Sequence, residues 1–251
     1  YPPGEDPPLP PLPLSRGALR VARAQNSLGW HWWPSSNAIL SAPYGDRHNQ
    51  CVQRGTCMQG CGEGAKASPD LTHWPVAIRH GARLVTGATV RRLVRRGDLV
   101  TGAEWIDEDG REHFQEASVV VLAANGVGTP RLLLASADER SPDGLANSSG
   151  LVGRRLMVHP FATVTGFFEE SLRSWQGHFG TSIDSLEFYE TDASRGFVRG
   201  AKWGLAPTGG PLNAALPPRP DDRVWGPAHH EQVRTRLGRG ANWAIMGEDL
   251  P

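Results

Sequence analysis

Three cysteines form the densest group of reactive side chains in this 251-residue sequence. Cys51, Cys57 and Cys61 have the spacing C-x5-C-x3-C, and the chain has only these 3 cysteines. An odd, local set of thiols cannot form a disulfide framework, so a metal site, a redox role or structural thiols remain. Each iron of a [3Fe-4S] cluster needs one cysteine thiolate, so the loop fits either such a cluster or a thiol-rich structural loop. Since no Cys-x-x-Cys pair is present, a four-cysteine zinc site is not supported.

Histidines and tryptophans offer weaker candidates. His159 precedes a proline, and His229 and His230 are adjacent, but a histidine beside a proline is more often structural. No catalytic residue is therefore assigned from the sequence. Aromatic side chains stack on sugar rings as readily as they pack between elements. Both interpretations stay open for Trp30, Trp32, Trp33, Trp175 and Trp203.

The strongest signal for ligand binding is a strand, turn and helix pattern. Residues 117–124 form a continuous apolar run, which is typical of a strand buried on both faces of a parallel sheet. The sequence Asn125-Gly-Val-Gly follows, and Pro130 opens a helix predicted over residues 131–136. A glycine turn before a helix N-terminus offers backbone N–H groups and a positive dipole end to phosphates. The pattern predicts a nucleotide-binding edge of an α/β sheet.

The surrounding sequence predicts the elements that position this edge. A Pro-rich lead-in over residues 1–14 precedes a helix that ends at Gly29, and Thr72 is placed to cap a short helix that ends near Gly81. Short β-rich runs separated by turn signals predict an antiparallel meander, at residues 84–86, 90–94, 99–106 and 112–115. Further runs at 161–168, 186–189 and 196–200 predict a second domain, entered near His159-Pro160. The predicted domains are residues 1–157 and 158–251.

The charge balance and the apolar runs of the sequence restrict the kinds of binding partner that we expect. The 26 basic residues balance the 26 acidic ones, so no long-range attraction to nucleic acid or to an anionic membrane is expected. No apolar run reaches the roughly 18 residues of a membrane helix, and no targeting segment opens the chain at Tyr1. Localisation, whether cytoplasmic or periplasmic, is not predicted.

Several motifs in series resemble those of glucose-methanol-choline (GMC) oxidoreductases. The segment Val121–Ser136 is similar to the family's strand, A-x-G, and G-[ST]-P-x-L-L-L signature. The resemblance covers about residues 20–200 and includes further motifs in the family's order, at residues 61–68, 75–82, 89–93, 144–153, 156–160 and 187–192. It implies a mixed α/β fold with an incomplete Rossmann-like FAD-binding domain carrying the antiparallel meander, followed by part of a β-sheet substrate domain.

The resemblance also implies cofactor contacts. It places the adenine of FAD against the backbone of Val90. It places Ala123, Ala124, Asn125, Gly126 and Thr129 near the adenosine and pyrophosphate. The cysteine spacing resembles that of flavoprotein subunits of sugar and gluconate dehydrogenases, which implies an iron–sulfur cluster on Cys51, Cys57 and Cys61 as one alternative.

The implied activity is oxidation of a CH–OH group of an alcohol or sugar, with hydride passing to the flavin and a histidine taking the hydroxyl proton. A dehydrogenase would pass electrons to an acceptor subunit such as a cytochrome, whereas an oxidase would pass them to oxygen. A non-catalytic nucleotide- or partner-binding module is the alternative from another class. Because no G-x-G-x-x-G after a strand and no C-terminal histidine region occur in the sequence, we expect an internal fragment without independent turnover.

Overall fold

The computed structural model describes residues 8–46, 48–57, 59–178, 182–196, 198–206, 214–216 and 224–249. Part of the predicted Pro-rich lead-in, residues 1–7, lies outside the described residues. Contacts divide the chain into two compact units, which we call unit 1 (residues 1–79 and 159–249) and unit 2 (residues 80–158). The FAD-binding role of residues 1–157 and the substrate-binding role of residues 158–251 stay predictions.

The elements are helices, strands and one 3₁₀ turn, and both sheets are antiparallel. In chain order they are α1 (Arg16–Ser27), β1 (Trp33–Pro34), α2 (Trp74–Arg79), β2 (Thr89–Arg96), β3 (Leu99–Ile106), β4 (Glu112–Glu116), α3 (Asn125–Ala135), β5 (Phe161–Phe167), β6 (Ile183–Ser185), the 3₁₀ turn Ala193–Arg195, β7 (Ala201–Ala206), α4 (Gly226–Arg236) and β8 (Gly240–Gly247). The prediction of a mixed α/β chain with antiparallel sheets is confirmed.

Unit 1 is a five-stranded sheet covered by a helix. The strand order is β1-β6-β7-β8-β5. Helix α1 begins at an N-cap, Ser15, whose side chain accepts a hydrogen bond from the backbone N–H of Ala18. Its small residues Ala18 and Ala22, one turn apart, let the helix approach Ile183 and Leu205 of the sheet. This cluster, with Leu172 and Ala241, is the core of unit 1.

Unit 2 is a three-stranded sheet, β2-β3-β4, with α3 packed against β2. Leu93, Leu132 and Leu145 form its small buried core. The buried hydroxyl of Ser136 accepts a hydrogen bond from the Leu93 backbone N–H and donates one to the Leu132 carbonyl. Both apolar packing and this polar contact therefore fix the end of α3 on strand β2.

Several predicted elements differ in the structure. Residues 119–123 do not pair in a sheet within the described residues, and Val119 and Val121 are 76% and 82% exposed. A strand buried on both faces needs a hydrogen-bonded neighbour on each side, which the described residues do not supply. The helix predicted over 131–136 begins earlier, at Asn125, and so Pro130 lies inside it. The Rossmann-like domain stays a prediction.

Four smaller predictions also need correction. Residues 84–86 are not part of a ladder, and residues 186–189 form a turn. In the run predicted over 196–200, residue 197 lies outside the described residues, and the strand begins at Ala201. Thr72 does not cap α2, because its hydroxyl donates to the Ser68 carbonyl in the turn before the helix. For the three predicted runs, local propensity favoured a strand, but pairing partners decide whether a strand forms.

Candidate functional site

The start of helix α3 carries most of the residues predicted to contact a cofactor. Asn125 has a φ of +61°, a left-handed conformation that asparagine tolerates better than most residues. Its Oδ1 accepts hydrogen bonds from the backbone N–H groups of Val127 (2.8 Å) and Gly128 (3.0 Å). The hydroxyl of Thr129 accepts one from the N–H of Ala124 at 3.1 Å. The side chains of Asn125 and Thr129 therefore stabilise the backbone of this turn.

The surface around this turn is open and poor in side chains. Ala123, Ala124, Asn125 and Gly126 are exposed. A Cβ added to Gly126 would meet no atom within 4 Å. A ligand could thus lie directly against the backbone, as the sequence predicted, although the first-turn N–H groups of Val127 and Gly128 already have an acceptor in Asn125.

Val90, the other predicted contact, lies on the edge strand β2 and lines a groove of about 680 Å³. One wall of the groove comes from the sheet and the other from Arg131 and Ala135 of α3. The remaining lining residues are Thr89, Arg91, Arg92, Glu104, Trp105, Ile106 and Glu112. Residues 123–129 do not line it. The structure therefore places Val90 and the α3 turn in the same unit, but not in the same groove.

The register of the sheet shows why the groove is open. Trp105 pairs with Val90 on β2 and with His113 on β4, and cross-strand partners share one face. Ala103, two residues before Trp105, lies on the same face and contacts the leucine core under α3. Helix α3 thus covers one half of this face, and Val90, Trp105 and His113 form the half beside it.

Trp105 and His113 form an ordered stack on this open half. Their ring centroids are 4.2 Å apart and their planes are 16° from parallel. The Nε2 of His113 lies 2.8 Å from Oδ2 of Asp107. This contact and the backbone N–H groups of Arg111 and Asp109 lower the pKa of Asp107, so the carboxylate stays ionised and holds the imidazole.

Charges around the groove are mostly paired. Arg92 donates two hydrogen bonds to Glu104, at 3.0 and 2.9 Å, which lowers the pKa of Glu104. Arg91 lies 4.0 Å from Glu112. Among the described residues, Arg131 has no carboxylate partner. It is therefore the guanidinium in the groove that is available to an anionic ligand.

The cysteine loop is not arranged as a metal site. Within the part of the chain that the structure describes, no group of three or more His, Cys, Asp and Glu side chains could hold a metal ion. Burial, with the nearby Cys57 and Cys61, raises the pKa of Cys51 despite a backbone hydrogen bond from Gln53. Burial acts in the same direction on Cys61, but backbone N–H groups, from Lys66 first, outweigh it and lower its pKa. Cys51 and Cys61 thus differ in environment, and a [3Fe-4S] cluster on the three cysteines has no support from this geometry.

The histidines and most of the tryptophans have structural contacts. His159 donates from Nδ1 to the carbonyl of Gly247 at 3.2 Å, while His229 and His230 lie on α4. Trp30 packs edge-on against Phe188, and Trp203 packs between Phe188 and Trp243. Trp32 donates to Asn26, and Trp175 lies against Gly238. For these tryptophans, packing accounts for the contacts observed.

Trp105, His113 and Arg131 were missed by reasoning from the sequence. In the sequence, Trp105 occupies an apolar position of an alternating strand pattern. Nothing in the sequence shows that His113 lies opposite it. Only the register of β3 with β4 brings the rings together. No helix among the described residues has the length and apolar character needed to cross a membrane.

Comparisons with known proteins agree on one family. Residues 35–161 match the model of GMC oxidoreductases. The chain is 40% identical to 2-methyl-1,2-propanediol dehydrogenase of Mycolicibacterium austroafricanum over 98% of its length and 44% of that relative. It is 29% identical to the fructose dehydrogenase large subunit of Gluconobacter japonicus, over 97% of the chain and 44% of the relative. It is 32% identical to paromamine 6'-oxidase of Streptomyces fradiae, over 72% and 35%. The chain thus spans less than half the length of these relatives.

Proposed function

The chain belongs to the GMC oxidoreductase family, and from that premise we propose that it is part of an FAD-dependent dehydrogenase acting on a CH–OH group of a small alcohol or sugar. The family is FAD-dependent, which agrees with the cofactor predicted from the sequence. The observation that carries the proposal is the open groove of unit 2 at Val90, together with the exposed turn that begins α3.

The described residues fit the adenosine part of FAD. A groove of about 680 Å³ is within the usual size of a small-molecule site. It offers an aromatic ring at Trp105 and a cation at Arg131, which suit a purine and a phosphate. The backbone surface at residues 123–126 would let the rest of the adenosine diphosphate part lie close to the chain.

A bound flavin would supply the acceptor for the hydride that leaves the substrate carbon. This chain would hold and orient the cofactor, with residues 1–157 contributing to the FAD-binding part and residues 158–251 to the substrate-binding part. The base that takes the hydroxyl proton is not assigned to any residue of this sequence.

Small diols and sugars are the proposed substrates. The relative with 40% identity is named for oxidation of 2-methyl-1,2-propanediol, and another is the large subunit of a fructose dehydrogenase. The test is to purify the full-length protein that contains this chain, together with FAD, exclude oxygen, and follow the flavin absorbance while adding 2-methyl-1,2-propanediol or fructose. Bleaching by either compound is expected. A bound flavin that stays oxidised with both would count against a dehydrogenase of this substrate class.

An oxidase is the second candidate, favoured by the relatedness to paromamine 6'-oxidase. Reoxidation of the reduced flavin separates the two functions. An oxidase would be reoxidised rapidly by oxygen and release hydrogen peroxide. A dehydrogenase would be reoxidised faster by an artificial electron acceptor than by oxygen.

An acceptor subunit and a [3Fe-4S] cluster on Cys51, Cys57 and Cys61 form the more specific variant of the dehydrogenase proposal. Its support is the likeness to a protein named as a large subunit, since the geometry of the described thiols adds none. Iron and acid-labile sulfide in the purified protein would establish the cluster. Absence of both after anaerobic purification would leave the cysteines as structural thiols.

A non-catalytic module that only binds a nucleotide or partner is the proposal from another class. The flavin-reduction experiment also decides this point. FAD that binds but is not reduced by any alcohol or sugar would favour the module.

A further inference from the structure

Trp105 is a large aromatic residue of β3 that is only partly buried. The leucine core under α3 ends before it, and the indole lines the groove together with Val90 and Arg131. Here the ring is placed at the edge of the helix, where a ligand can reach it.

One side of the indole already has a partner. His113 lies nearly parallel to the ring, at a centroid distance of 4.2 Å. The imidazole is held in turn by Asp107, and the Asp107 carboxylate is fixed by two backbone N–H groups, those of Asp109 and Arg111. This chain of contacts holds the indole from the β4 side, and its cross-strand partner on the β2 side is Val90, which lines the groove.

We infer that Trp105 is the stacking platform for the adenine ring of FAD, with His113 and Asp107 as positioning residues behind it. The inference rests on the proposed function, because it assumes that FAD is the cofactor. A purine that lies in the groove and stacks on the indole gains affinity from this contact. An indole that is already held in place loses less conformational entropy when the ligand binds. Arg131, which has no carboxylate partner among the described residues, is the cation that remains for a phosphate of the same cofactor.

The test compares two flavins that differ in the adenosine. Apoprotein is prepared from the full-length wild-type protein that contains this chain and from its Trp105→Ala and Trp105→Phe variants, and each is titrated with FAD and with FMN, which lacks the adenosine. Loss of the ring in Trp105→Ala should raise the Kd for FAD about 5- to 100-fold, since stacking on an aromatic side chain has this value for one base. Trp105→Phe keeps an aromatic face and should recover most of the affinity. The Kd for FMN should not change in either variant.

A matched control removes an indole elsewhere. Trp225 is 83% exposed in unit 1, so Trp225→Ala should leave the Kd for FAD unchanged. Binding of FAD should also quench part of the tryptophan emission of wild-type protein and of Trp225→Ala. Trp105→Phe should lack that part, because the quenched indole is missing. This optical readout does not depend on turnover.

The outcomes separate this inference from the proposed function. If wild-type protein binds no FAD, the proposed function fails. If wild-type protein binds FAD and Trp105→Ala binds it equally well, the platform is wrong while the proposed function stands. Should Trp105→Ala fail to fold, Trp105→Phe decides, because emission quenching equal to that of wild-type protein would overturn the assignment.

The positioning residues have their own test. His113→Ala removes the ring behind the indole, whereas His113→Phe keeps an aromatic ring there and loses only the contact to Asp107. We expect FAD affinity to fall about threefold to tenfold in His113→Ala and to recover in His113→Phe, with FMN affinity constant in both. Equal losses of FAD and FMN affinity would show a general structural role instead.

Discussion

The two units of this chain organise a sheet and a helix in different ways. In unit 1, α1 lies over the sheet, and its alanines bring the helix close enough to bury Ile183 completely. In unit 2, α3 covers only half of one face and leaves Trp105 and Val90 at the edge of a groove. Helix α1 thus closes the core of unit 1, while α3 forms one wall of the groove in unit 2.

The difference also appears in how each helix is held. Helix α1 is held mainly by apolar contacts with residues such as Leu205. Helix α3 has a smaller core and adds polar contacts at its end, through Ser136 to β2 and through Asp138, just after the helix, to Arg95. Because the groove stays open, α3 buries less apolar surface than α1 does. Hydrogen bonds and an ion pair therefore help to hold α3 in place.

The largest effect is expected from the core of unit 1. Ile183→Ala removes three carbons from a side chain that is 0% exposed, and it should cost about 2–5 kcal/mol in the free energy of unfolding. Chemical denaturation followed by circular dichroism measures this. Val164→Ala, at a position 60% exposed on the edge strand β5, is the control and should cost well under half as much. Similar costs at both positions would contradict a core closed by α1.

The next effect concerns the polar contact of unit 2. Ser136→Ala leaves the buried Leu93 N–H without its acceptor, and it should cost about 1–3 kcal/mol. Ser27→Ala is the matched control, because Ser27 makes only an exposed hydrogen bond to Ala24 within its own helix turn. Hydrogen exchange of the β2 amides gives a local readout, and faster exchange is expected in Ser136→Ala. Unchanged exchange would mean that the leucine core alone holds α3.

A smaller effect is expected at the start of α3. Asn125→Ala loses the side-chain cap, which is the pair of hydrogen bonds that Oδ1 accepts from the N–H groups of Val127 and Gly128. It also puts an alanine at a positive φ, and together these changes should cost about 1–2 kcal/mol in the free energy of unfolding. Asn125→Gly also loses the cap but relieves the backbone, and it should cost less than Asn125→Ala. Thermal unfolding compares the two. If Asn125→Gly is the less stable variant, the left-handed backbone is not the main reason for asparagine at this position.

The smallest effect concerns acid stability. The hydrogen bonds from Arg95, supported by the N–H of Ser141, hold the pKa of Asp138 at about 2, below the value of about 3.9 in an unfolded chain. Because the folded pKa is the lower one, this stabilisation is present above about pH 4 and is lost as the pH falls toward 2. Asp138→Asn should therefore lose stability at neutral pH and show a flatter decline in acid.

Asp192 is the control for this acid effect. Its pKa is also about 2, through hydrogen bonds from Ser194 and Arg195, but these partners are two and three residues away. Such local contacts persist in part in an unfolded chain, so Asp192→Asn should flatten the decline less than Asp138→Asn. The comparison is made by denaturation at a series of pH values. An equal flattening by both variants would contradict a special role for the ion pair that joins β2 to the end of α3.

The sequence predicted local features well. Helix α1, the three strands of the meander and β5 lie close to their predicted ranges, because caps, turns and alternation are local signals. The apolar run at 117–124 was predicted as a buried strand, but strand formation depends on neighbours that no local pattern reveals. The family predicted from short motifs in series was confirmed by the match of residues 35–161 to the model of GMC oxidoreductases.

The site could be predicted only in part. Val90 and the residues from Ala123 to Thr129 were named from the resemblance, and their contacts with FAD stay a prediction. Trp105 and His113 are eight positions apart in the chain, and only strand register makes them stack. The availability of Arg131 depends on which arginines the glutamates of the sheet engage, which is also a matter of register.

We propose that this chain is part of an enzyme that oxidises a CH–OH group with FAD, and anaerobic reduction of the bound flavin is the direct test. The full-length protein that contains this chain should contain FAD, and its flavin absorbance should bleach when 2-methyl-1,2-propanediol or fructose is added without oxygen. Protein that binds no FAD, or bound FAD that stays oxidised with every alcohol and sugar offered, would contradict the claim.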